Sequence, residues 1–88
     1  MKDKELERLF NQYADLLCGF AYNYLRSKEE ARDIVQEVFV RLLEKENLTL
    51  EDEMSVKTLL FYSVRNACIN QLAGRRKLQY IIQKNFVE

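Results

Sequence analysis

The side chains equipped for chemistry in this 88-residue chain are fourteen carboxylates, fourteen cations and two thiols, with no histidine among them. Without imidazole, the commonest general base and metal ligand is missing. Cys18 and Cys68 stand fifty residues apart, which is not the spacing of a zinc site. There is no glycine-rich phosphate loop and no nucleophile elbow. Carboxylate pairs such as Glu29 and Asp33 fall on an open helix face, outside any enclosed acid–base constellation. An enzyme, a metal centre and a cofactor are therefore not expected. The remaining chemistry is binding.

The charges are segregated along the chain. Residues 28–53 hold nine acids against four bases, whereas residues 54–87 hold six bases and no acid. Such asymmetry suggests two surfaces for different partners, the second of them anionic, against the alternative of chance imbalance in a short chain. The acidic half centres on Ala31–Glu44. Read as a helix, this stretch buries Ala31, Ile34, Val35, Val38 and Leu42 on one stripe. Asp33, Gln36, Glu37, Val40 and Glu44 share the opposite stripe, with Arg41 as the nearby base. A face built only for solubility usually mixes Lys and Glu into self-satisfying pairs. This one reads either as a solvated acidic face or as a docking surface for a basic partner.

Three long helices must position these groups. Leu6, Leu9, Phe10, Tyr13, Leu16, Leu17, Phe20, Ala21 and Tyr24 recur at helical spacing and predict a core-facing helix from about Asp3 to Arg26. Gly19 inside it invites a close helix crossing or a slight bend. Ser27-Lys28-Glu29-Glu30 matches a capping box, Ser27 as N-cap and Glu30 reaching back to it, so the second helix follows a tight turn and runs antiparallel to about Lys45. Glu46–Glu53 reads as a loop, longer than a connection requires. The third helix starts near Ser55, reaches at least Ala73 and presents Val56, Leu59, Leu60, Val64, Ala67 and Cys68 to the core. Thr58, Arg65 and Arg76 lie together on its outer side beside Tyr62 and Ile69, and Ser63, Asn66 and Asn70 form a separate polar edge. Gly74 either ends this helix or is passed through.

Composition agrees with a single compact helical domain: 48% of residues are apolar, with no proline and two glycines. A charged start at Met1–Glu5 offers no apolar leader core, and no apolar run approaches the ~20 residues of a membrane span. The thiols read as reduced core cysteines of a cytoplasmic protein, with no membrane association expected.

The order Asp33-Ile34-Val35-Gln36-Glu37-Val38-Phe39, then Leu42-Leu43-Glu44, resembles the second region of bacterial RNA polymerase sigma factors, in the extracytoplasmic-function group of the sigma-70 class. Leu9-Phe10 through Tyr24-Leu25-Arg26 looks like that family's first helix. Val56 to Asn66, closing in an Arg-Asn pair before the basic run Arg75-Arg76-Lys77, looks like its third. The resemblance covers nearly the whole chain. Leu59 departs from it, standing where the family often has tryptophan, so no role for that aromatic carries over.

The resemblance implies an all-α bundle of three long helices, with room for a short fourth C-terminal segment. Residues 1–77 would form the region 2 domain, and 78–88 an extension or the start of a linker toward a second, promoter-reading domain. The chain then reads as an excised domain or as a factor lacking upstream recognition. The implied function is transcription initiation, docking on the β′ clamp helices of the polymerase core and melting the minus-ten promoter element through its non-template strand. Asp33, Gln36, Glu37, Val40, Arg41 and Glu44 would meet polymerase. Lys57, Tyr62, Arg65, Asn66, Asn70, Arg75, Arg76 and Lys77 would meet DNA, and Asn47, Leu48 and Thr49 would belong to a base-capturing loop. An anti-sigma protein is a further partner that the resemblance admits. The competing reading is a helical protein–protein adaptor or sigma-like regulator, which would use the acidic stripe without binding DNA.

Overall fold

The structure, a computed structural model, describes residues 3–45 and 52–86. They form three helices, α1 (Asp3–Leu25), α2 (Lys28–Glu44) and α3 (Glu53–Phe86). The α1–α2 connection is two residues long. Arg26 takes a left-handed conformation (φ 57°) and its N–H donates to the Tyr22 carbonyl at 2.8 Å, closing α1 without a glycine. Ser27 then opens α2: its Oγ accepts from the Glu30 N–H at 3.3 Å. The capping box is only half made. The Glu30 carboxylate does not return to Ser27 but is joined to Arg75 of α3, because a long-range cation outcompetes a neutral N–H for a carboxylate.

Ser27→Ala removes that cap. It should cost about 1 kcal/mol, seen as a fall in melting temperature of roughly 4–8 °C.

The turn sets α1 and α2 antiparallel, with Phe10 of α1 stacked on Phe39 of α2 at 4.2 Å between ring centroids. α3 lies across both, its Phe61 edge-on to Phe20 of α1 at 5.3 Å. The core is a single cluster, in which Leu17, Val56, Leu60, Val64 and Cys68 are fully buried. Burial raises the pKa of the Cys68 thiol and, less hindered, that of Cys18, where the nearby Arg32 opposes the shift. Neither is a poised nucleophile.

The structure corrects or decides the sequence pattern in four places. Leu16, grouped with the core, is 61% exposed, since two partner helices cover only the strip through Leu6, Leu9, Leu17, Ala21 and Leu25. Gly19 permits no close crossing: a Cβ there would meet open space. α3 begins two residues early because Asp52 caps it, its Oδ1 accepting from the Ser55 N–H at 2.8 Å; that bond holds the carboxyl below its ordinary value. Finally, α3 passes through Gly74 without a break and continues to Phe86, so there is no separate fourth helix among the described residues. At 1.5 Å per residue it spans roughly 50 Å, nearly the whole 55 Å length of the molecule.

Candidate nucleic-acid interface and docking face

Beside the contact of Phe20 on α1 with α3, the structure opens a groove of about 370 Å³ lined by Phe20, Met54, Lys57, Thr58, Phe61, Tyr62 and Arg65. Its floor is aromatic because Phe61 turns toward Phe20, which in turn meets Tyr24 edge-on at 5.5 Å. Its rim is cationic. Lys57 and Arg65 are both exposed, two helical turns apart on α3, and Tyr62 stands between them, 60% exposed. The Lys57 ammonium also lies 5.7 Å over the Tyr13 ring, which steadies its stem against α1. α3 carries no carboxylate from Met54 onward, and the Asp52 carboxylate is turned onto the helix start. An apolar, aromatic trough between two cations suits an unstacked base with its flanking phosphates.

The other residues assigned to DNA do not join this groove. Asn66 and Asn70 line a separate cleft between α2 and α3, shared with Arg41, Lys45 and Ser63. Asn66 also accepts from Arg65 Nη1 at 3.4 Å. Arg75 is joined to Glu30, so it ties α3 to α2, a contact open to Arg65 by sequence alone. Arg76 and Lys77 are exposed further along α3. Asn47, Leu48 and Thr49 lie outside the described residues. Phe20, Met54 and Phe61 have no signal in sequence that separates them from core residues, while Thr58 is flagged only by its place beside Arg65.

On the far side, Asp33, Gln36, Glu37, Val40 and Glu44 are all exposed along α2. Arg41 does not stand apart from this stripe, for it is ion-paired with Glu37 one turn back. The stripe is therefore less acidic than its composition suggests. Both partners are exposed, and such a pair is worth about 0–1 kcal/mol, so an incoming cation can displace Arg41 at little cost. Glu37 and Arg41 border a second α2–α3 cleft with Ala67, Asn70 and Gln71. No α2 residue lines the aromatic groove. The two surfaces are distinct.

Among the described residues, no group of three metal-ligating side chains converges and no helix is long and apolar enough to cross a membrane. The family model described as Sigma-70 region 2 matches residues 9–78, which takes in α1 from Leu9, all of α2 and α3 as far as Leu78. Neither a curated protein nor a solved structure gives a match.

Proposed function

The chain belongs to the sigma-70 region 2 family, whose members are transcription initiation factors rather than enzymes, and from that premise we propose that its two faces divide the work of initiation. The α2 stripe docks on the β′ clamp helices of the polymerase core. Asp33, Glu37 and Glu44 supply charge, Gln36 a hydrogen-bonding amide and Val40 an apolar contact, while Arg41 exchanges its intramolecular partner for the incoming one. The α1–α3 groove receives the non-template strand of the minus-ten element, with a base against Tyr62 and the aromatic floor and phosphates on Lys57 and Arg65. Asn66 and Asn70 extend the polar readout along the neighbouring cleft, and Arg76 and Lys77 add phosphate contacts further down α3.

The observation that carries this reading is the pairing of an aromatic trough with two cations on one face and an acidic stripe on another. An adaptor would need only the second. Extruding a base costs a few kcal/mol, a sum that stacking and pocket contacts in such a trough can recover.

Glu37→Lys tests the docking half. Titration against a purified β′ clamp-helix fragment should show binding lost, because the reversal removes one carboxylate and places two cations on adjacent turns. Circular dichroism should be unchanged, since Glu37 is exposed. Wild-type affinity in this variant would refute the assignment of α2.

A further inference from the structure

Beyond the bundle, α3 continues as an arm on which every described side chain from Ala73 to Lys84 is exposed. The seam that packs α3 into the core does not stop where the core stops. In heptad terms Leu60, Val64 and Ala67 occupy successive d, a and d positions and are buried. The same register carries through Gln71 and Gly74 to Leu78 at a and Ile81 at d, with Ile82 at the adjoining e position. Leu78 is 59% exposed, Ile81 43% and Ile82 46%. Three large aliphatic residues thus prolong an established packing seam past the α1–α2 turn. The positions beside it are basic, with Lys77 and Lys84 at g and Arg75 at e, and residues 54–87 contain no acid.

We propose that this arm docks an acidic amphipathic helix of another protein, its apolar residues laid on Leu78 and Ile82 and its flanking carboxylates paired with Lys77 and Lys84. Flanking charges of this kind choose coiled-coil partners. They disfavour a second copy of this chain: an antiparallel pair sets Lys77 against the other copy's Lys84, a parallel pair sets Lys77 against Ile82, and neither supplies a carboxylate. A lipid surface suits the arm less well, since a helix lying on a bilayer needs a broad apolar face. Here the apolar strip is narrow and keeps the register of a helix–helix interface. The site needs neither the aromatic groove nor the α2 stripe, and it shares only Lys77 with the promoter contacts proposed above.

The test uses the whole chain and a fluorescent synthetic peptide of about four heptads, with Leu at a and d and Glu at e and g. A second peptide carries Lys at e and g. Fluorescence anisotropy should show the Glu peptide bound and the Lys peptide at least about tenfold weaker. A Lys77→Glu/Lys84→Glu variant should reverse that order. Leu78→Asp should weaken the Glu peptide by about tenfold or more with the α-helical circular dichroism unchanged. The proposal is overturned if neither peptide binds, if both bind equally, or if the preference survives charge reversal. It is likewise overturned by tighter sedimentation with phosphatidylserine-containing vesicles than binding to the peptide, or by a concentration-dependent dimer that Leu78→Asp abolishes.

Discussion

A Lys57→Ala/Arg65→Ala variant should lose most of its affinity for a single-stranded oligonucleotide bearing the non-template minus-ten sequence, and its dependence on salt should flatten. Each phosphate neutralised on single-stranded DNA contributes about 0.7 to the slope of log K against log salt, so losing two should lower the slope by about 1.4. Tyr62→Ala should act differently. Removal of a stacking platform costs about 1–3 kcal/mol per base, and because no charge is lost the slope should stay as it was. The combination separates an electrostatic rim from a stacking floor. A Lys4→Ala/Arg8→Ala control, on the exposed first turns of α1, should change neither. All three side chains at the groove are exposed, so the variants should fold as the parent does. If the Lys57/Arg65 double variant keeps the parental slope, DNA does not use this groove, and the reading of the α1–α3 face fails.

The second large effect concerns the core. Leu60→Ala deletes a fully buried side chain at the centre of the single cluster that joins all three helices, and Leu-to-Ala changes at such sites cost about 2–5 kcal/mol. A domain of this length has roughly 4–13 kcal/mol to lose. The variant should therefore melt far below the parent, and a substantial fraction should be unfolded in moderate urea where the parent is native. Leu16→Ala is the informative companion. By spacing alone it belongs to the same apolar stripe, yet it is exposed, and its replacement should stay within about 0.5 kcal/mol. Equal destabilisation by the two would mean that α1 packs in a different rotation from the one described.

The contrast between Leu60 and Leu16 shows how far the amino-acid pattern reaches. Helix number, helix type and most of the buried stripe were legible because local rules decide them. A 3.6-residue period places Ala31, Ile34, Val35, Val38 and Leu42 on one side whatever lies opposite, and a serine three residues ahead of Glu30 caps a helix wherever it stands. The exposure of the α2 stripe followed from the same period. Its charge balance did not, because a rotamer choice joins Arg41 to Glu37.

What remained for the tertiary structure were questions of which groups meet across elements. Helical spacing cannot say whether Phe20 and Phe61 are core or the floor of a groove, since either use gives the same apolar positions. That was decided by the way α3 packs against α1, which leaves both rings half-buried beside an open groove. The sequence allows Glu30 to close its own capping box or to hold a cation forty-five residues away, and only the packing of α3 along α2 brings Arg75 within reach. Asn66 stands one turn along α3 from Tyr62 yet lines a different cleft, because α3 meets α1 on one side of its cylinder and α2 on another. Gly74, ambiguous in isolation, is carried through as helix on the uninterrupted hydrogen-bonding ladder of α3. The chain's own pattern determined three amphipathic helices and the sign of the charge on each. Only their mutual rotation decided which of those side chains share a site, because contacts between elements depend on crossing geometry that no single helix encodes.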